Sequence, residues 1–327
     1  MSGGEGIKAL IEQLRDPTRS HQALLALLMK GEDAVPALAA FLRSSKPSSL
    51  PEPRLLAVEG LSILKGSETL EALIAVATER LGEIADPVIR LAEEGVVSRA
   101  ALALGDFPDE PRARETLLEL LQEKPLAGVA EAFMKLKDPR AIPGIVSWLE
   151  EDFVAEAAGR AIVACGPVAI PSLLESLREK HVRYGSEAGM SRRRRARILA
   201  ILCELARPAG IDGLEDLLGD PAEGVRWNAV RLFLEKGSAA QQARAYRIGT
   251  KFLDSMEKFL RAECEELLLA HFDLGRELIE EEINRRRMMG KTEKNFEPRE
   301  TTLAILLRIV RKGSEANRRG GAGTSSR

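Results

Sequence analysis

One phrase, repeated with variation, constrains this chain most: a small turn, an aliphatic residue, Pro or a polar residue, then a short apolar run. Lys30-Gly31-Glu32-Asp33-Ala34-Val35-Pro36-Ala37-Leu38 recurs 35 residues later as Lys65-Gly66-Ser67-Glu68-Thr69-Leu70-Glu71-Ala72-Leu73. Asp138-Pro139-Arg140-Ala141-Ile142-Pro143-Gly144-Ile145 returns after 28 residues as Gly166-Pro167-Val168-Ala169-Ile170-Pro171-Ser172-Leu173. A worn copy is Pro208-Ala209-Gly210-Ile211-Asp212-Gly213-Leu214. Self-similarity at a period of tens of residues marks a stacked-repeat protein, in which each unit buries its apolar face on its neighbours.

Between the phrases the apolar residues follow a helical period and almost never alternate as in strands. Leu55, Val58 and Leu61 mark one helix, Val129, Ala132, Phe133 and Leu136 another, and Val225, Ala229, Leu232 and Phe233 a third. Aromatic residues are only 4% of the chain, so alanine and leucine do the packing. Pro36, Pro143 and Pro171 fall in the first turn of a helix, where a missing N–H has no intrahelical partner to lose. The β-branched residue before each of them is expected outside the α region, which would fix the helix start. Asp16-Pro17, Asp86-Pro87, Asp138-Pro139 and Asp220-Pro221 each place a capping carboxylate ahead of a proline.

The phrase at 138–145, the small-residue helix from Val154 to Val163 and the return at 166–174 resemble the HEAT-like repeat, in the short form found in phycobilisome-lyase-type repeat proteins. The resemblance covers most of residues 7–236. It implies an all-α fold, a right-handed α-solenoid of stacked antiparallel helical hairpins forming a HEAT-like or armadillo-like superhelix. On this reading residues 1–177 form an N-terminal array, 178–191 a basic loop, 192–312 a more divergent C-terminal helical array and 313–327 a disordered tail. The matched positions pack and turn, so the resemblance carries fold rather than chemistry.

A formal charge of −2 excludes binding of polyanions by bulk charge, so nucleic acid would need a local patch. Cys165, Cys203 and Cys264 are odd in number and far apart, which points to reduced thiols and a cytoplasmic setting. The first residues lack the pattern of a signal peptide, and a membrane-spanning helix is not expected. His21, His181 and His271 are scattered and form no metal-binding motif, and no phosphate-cradling glycine motif or nucleophile elbow occurs. No cofactor, no metal and no catalytic residue is therefore assigned.

Three interruptions of the rhythm are candidates for contact with a partner. Ser44–Pro53 is a Ser/Pro loop, either a long connection or a binding loop. Residues 178–197 hold eight Lys and Arg, among them Arg192, Arg193, Arg194, Arg195 and Arg197. Arginines at a helix start oppose its dipole, so the run either pairs internally or attracts an acidic partner or phosphate. Trp227 lies off the Val225–Ala229–Leu232 stripe beside Arg231, so the two read as an exposed interface anchor or as a Trp packed on the next hairpin. The resulting expectation is a non-enzymatic protein-interaction scaffold that uses the concave face of a solenoid to bind another protein or peptide. Nucleic-acid binding through Arg192–Arg197 and a bilin-lyase-like subunit are the alternatives.

Overall fold

The computed structural model describes residues 3–66, 68–207, 210–289 and 301–322. Over these the chain is an all-α helical repeat protein in which the phrase has a constant structural meaning. Gly31–Ala34, Pro139–Ala141 and Gly166–Ala169 are each one turn of 3-10 helix that runs directly into α3 (Val35–Ser44), α9 (Ile142–Ser147) and α11 (Ile170–Arg178). Pro36, Pro143 and Pro171 sit second in these helices, as their chemistry requires.

The residues before them depart from expectation. Val35 (φ −58°, ψ −49°), Ile142 (φ −54°, ψ −49°) and Ile170 (φ −55°, ψ −45°) are helical, not extended. The preceding 3-10 turn already sets a helical path, and burial of Val35 and Ile142 holds it against the clash with the proline ring. The Asp-Pro pairs behave as expected. Asp86 accepts from the N–H of Val88 at 2.8 Å, Asp138 from Arg140 at 3.0 Å, Asp220 from Ala222 at 2.9 Å and Asp16 from Thr18 at 2.9 Å. Pro208 and Ala209 of the worn copy lie outside the described residues.

The chain divides into two compact units, Met1–Ser172 and Leu173–Arg327, with the border inside α11. In the first unit the helices alternate between two layers. One layer holds α1 (Gly3–Gln13), α3, α5 (Thr69–Ala77), α7 (Pro111–Glu123) and α9; the other holds α2 (Ser20–Leu28), α4 (Glu52–Leu64), α6 (Pro87–Leu104), α8 (Ala127–Leu136) and α10 (Ala155–Cys165). Each helix packs on the next of its own layer, which is the geometry of stacked hairpins. The phrase also stacks on itself: a methyl at Gly66 would lie 2.8 Å from Val35. Ion pairs bridge neighbours within a layer, Arg99 to Glu59 at 3.6 Å and Arg160 to Glu131 at 3.3 Å. Such exposed pairs contribute about 1 kcal/mol or less each, so buried alanine and leucine carry the stack.

The second unit contains α12 (Gly189–Leu205), α13 (Glu223–Lys236), α14 (Ala239–Phe252), α15 (Lys258–Ala270), α16 (Phe272–Met289) and α17 (Thr302–Ala322). Here α13 is packed on both sides, by α12 and by α14. Tyr246 anchors the far end, its hydroxyl donating to the Leu268 carbonyl at 2.9 Å and its ring filling the space that a side chain at Gly275 would need. The segment from Gly313, expected to be disordered, continues α17 to Ala322; residues 323–327 lie outside the described residues. One stretch, Ala155–Arg178, has the length and apolarity of a membrane span. It is two helices, broken by Gly166 at φ 75° and by Pro167, and Ala158, Ala161, Ile162 and Leu177 are buried in the protein.

Gly128, in the first turn of α8, donates its N–H to Ser98 Oγ on α6 at 2.9 Å, and a methyl there would meet the Ser98 carbonyl oxygen at 1.8 Å. Gly128→Ala is expected to cost about 3 kcal/mol, the upper end of the usual cost of overpacking. Gly95→Ala, in the same layer but with nothing within 4 Å, should instead stabilise by roughly 0.5–1 kcal/mol. Thermal unfolding of both variants checks this, and shifts of the same sign would contradict the close approach of α6 and α8.

Candidate interaction surface

The arginine run acquires its meaning from the helix before it. α11 ends at Arg178, and a short β-hairpin follows, β1 (Val182–Arg183) pairing antiparallel with β2 (Ser186–Glu187). Tyr184 and Gly185 turn it with φ of 53° and 76°, two successive left-handed residues as a tight hairpin requires. The expected basic loop is therefore a hairpin, and α12 begins at Gly189, so the arginines lie within its first turns.

Arg194 and Arg195 point back at the C-terminal end of α11. Arg194 donates to the carbonyl of Glu179 at 2.8 Å and to that of Ser176 at 3.4 Å, and Arg195 Nε donates to the Leu177 carbonyl at 3.1 Å. Carbonyls in a last turn lack intrahelical donors and carry the negative end of the dipole, so cations there are favoured. The remaining nitrogens of Arg195 reach Asp220 Oδ2 at 2.6 Å and Glu187 Oε2 at 2.8 Å. Arg195 is 1% exposed and fully committed. Burial alone would raise the Asp220 carboxyl. The hydrogen bond from Arg195, the Ala222 N–H and the nearby Lys180 outweigh it and hold the group below the usual carboxylate range.

This geometry corrects part of the sequence-based site. Arg194 and Arg195 are structural ties, buried because α12 turns that face toward α11, and they offer nothing to a partner. Trp227 is also buried, 6% exposed, with its ring 5.2 Å from that of Phe252. The packing of α14 on α13 gives that helix a second buried face, which a single apolar stripe does not reveal. Arg197 and Arg231 are half-buried, and Arg231 lies near Cys203.

What remains outside is coherent. Arg192 and Arg193 are exposed and fold toward Gly189, their guanidinium nitrogens 3.9 and 3.8 Å from where its Cβ would be. With Gly224 and Glu223 at the start of α13 they line a cleft of about 300 Å³. Glu223 also lines a second cleft of about 390 Å³, walled by Arg226, Arg244 and Lys251 and floored by Leu218, Ile248 and Phe252. Two adjoining clefts are thus lined by five cations and one carboxylate, with the Glu215 carboxylate also close to Arg244. Arg226 is a fixed wall, donating to the Asp220 carbonyl at 2.6 Å and lying over Phe252. The side chains of Arg192 and Lys251 form no ion pair among the described residues. Arg226, Arg244 and Lys251 were missed as a site because they become neighbours of Arg192 only through the packing of α12, α13 and α14.

The first unit has clefts of another kind. One, about 820 Å³, is lined by Arg80, Arg90 and Lys124 together with Glu94 and Glu123, and Arg80 and Lys124 are paired with Glu83 and Glu94. The Ser/Pro loop is tied down, with the Ser48 N–H donating to Glu93 Oε1 at 3.0 Å. Glu93 is fully buried against Arg54, and that burial pushes its carboxyl above the ordinary range despite the Ser48 bond and the Arg54 charge. Burial, then the Glu235 carboxylate, likewise pushes the Cys203 thiol up to about 12.

The model of the PBS lyase HEAT-like repeat family matches residues 96–123. These form the second half of α6, the turn after it and α7, a hairpin of the first unit distinct from the 138–174 segment that carries the resemblance by eye. A comparison with curated proteins finds no match.

Replacing Arg195 by Met leaves Asp220 and Glu187 facing each other in the interior, and a loss of about 3–5 kcal/mol is expected. Arg192→Met should change stability by less than about 0.5 kcal/mol. Because the Asp220 pKa is depressed by folding, its contribution is complete above the unfolded-state value, near pH 4, and is lost as pH falls through the lower folded-state value. Urea unfolding at pH 7 and pH 3 checks both, with Asp220→Asn expected to show a flatter pH dependence than the wild type.

Proposed function

We propose that this chain, a HEAT-like repeat protein, is a non-enzymatic scaffold that binds another protein or peptide through the α12–α13–α14 face of its second unit. The observation that supports this most is the division of the arginine run. Arg194 and Arg195 are fixed inward on α11, Glu187 and Asp220, while Arg192 and Arg193 project beside Arg244 and Lys251. A surface whose cations are presented from a buried, hydrogen-bonded base is pre-organised, which lowers the entropy lost on binding. The surrounding repeats supply rigidity and area. Cys165, Cys203 and Cys264 are all free thiols, which fits a reducing compartment, and we take the protein as cytoplasmic.

Nucleic acid is the weaker reading. Of the run's arginines two are sequestered, and the aromatic rings that commonly stack single-stranded bases are scarce, exposed Tyr184 on the hairpin tip and Phe259 on α15 being those of this unit. The matched repeat is a packing unit, so its family name supplies no lyase chemistry to these residues.

The test is affinity capture with mass spectrometry from the native cell, using the wild type and an Arg192→Glu/Arg193→Glu variant. A protein partner retained by the first and reduced at least tenfold by the second, with an unchanged circular dichroism spectrum, is the expected result. Equal capture by both would remove this face from the function, and covalent colouring on co-expression with a bilin would overturn the non-enzymatic reading.

A further inference from the structure

The two clefts at the start of α13 differ in the apolar side chains they hold. That of Arg192 and Arg193 has the small Ala196, Ala222 and Val225, whereas that of Arg244 and Lys251 has the larger Leu218, Ile248 and Phe252. Phe252 is buried, its ring 5.2 Å from that of Trp227 and covered by the Arg226 guanidinium at 5.9 Å. Ile248 is half-buried, so its apolar surface is only partly covered. Glu223 stands where the two clefts meet, within the first turn of α13. The positive end of α12 adds to the field of Arg192 and Arg193 rather than offsetting it. An occupant must therefore bring several negative charges and one apolar group, spaced to pass Glu223.

We propose that this face binds an acidic peptide segment with an apolar side chain: carboxylates pair with Arg192, Arg244 and Lys251, and the apolar side chain rests on Ile248. The inference rests on the scaffold reading and names the chemistry of its partner. Charge complementarity carries it. Arg192, Arg226, Arg244 and Lys251 outnumber the carboxylates beside them, Glu223 and Glu215, and gain most from carboxylates on an incoming chain. Guanidinium–carboxylate pairs at such a rim set orientation and association rate, while the apolar contact sets residence time. A cleft of about 390 Å³ has room for one large aliphatic or aromatic side chain and not for a folded element.

The experiment uses the full chain and three fluorescein-labelled dodecapeptides, read by anisotropy at low and physiological salt. The first alternates Asp and Glu around a central Leu-Phe pair; the second replaces the acids by Asn and Gln; the third keeps the acids and replaces Leu-Phe by Gly-Ser. The first is expected to bind at least tenfold more tightly than the second and about fivefold more tightly than the third, and to weaken with salt. Arg244→Glu/Lys251→Glu, which changes two exposed side chains, should reduce its affinity at least tenfold with the circular dichroism unchanged. Equal binding of the first two peptides, or no effect of the double variant, would overturn the proposal. A single-stranded oligonucleotide that binds more tightly than the acidic peptide at physiological salt would overturn it too. If no peptide binds while cellular capture still depends on Arg192 and Arg193, the scaffold reading stands and the partner chemistry assigned here is wrong.

Discussion

The second unit depends on one buried cation. Arg195 sits at the meeting point of three things that would each be costly if left alone: the open carbonyls ending α11, the Glu187 carboxylate of the hairpin and the Asp220 carboxylate of an Asp-Pro turn. A charge 1% exposed is tolerable only when paired and hydrogen-bonded, and here every guanidinium nitrogen is engaged. Asp220 does two jobs at once, since its other oxygen accepts the Ala222 N–H before α13. The repeat's capping residue has thus been recruited as a counterion. That single arrangement fixes the end of α11, the hairpin and the start of α13 together, and so places Arg192 and Arg193 where they are.

This resolves the electrostatic oddity of the run. Arginines at the start of α12 oppose that helix's own dipole, but two of them serve the opposite pole of α11. The other two, Arg192 and Arg193, are exposed. Four consecutive arginines thus split into an exposed pair and a buried pair, and only their direction separates them. The comparison with Arg54 is useful. It too is buried between carboxylates, Glu93 and Glu79, and it ties a loop to a stack beside a cleft that exposed Arg15 and Lys46 share.

The repeating phrase made the architecture legible, because caps and first-turn prolines are local chemistry. All four Asp-Pro carboxylates accept backbone N–H groups. The helical conformation of Val35, Ile142 and Ile170 was not legible, since it depends on the preceding 3-10 turn and on burial, which outweigh a preference of the isolated dipeptide. The split of the arginine run was half legible. Arg194 and Arg195 lie three or four residues before buried Ile198 and Leu199, on the same face of α12, and that spacing alone points them inward. Trp227 gave no such warning, because Phe252, its partner, is on a different helix. The same applies to the candidate surface: Arg244 and Lys251 join Arg192 through tertiary packing that no local pattern records.

The central claim is that neighbouring arginines in one run have opposite fates. Arginine-selective modification of the native protein by phenylglyoxal, mapped by mass spectrometry over time, measures this directly. The account predicts rapid modification of Arg192 and Arg193 and protection of Arg194 and Arg195 until the protein is unfolded. Equal rates at all four positions would contradict it.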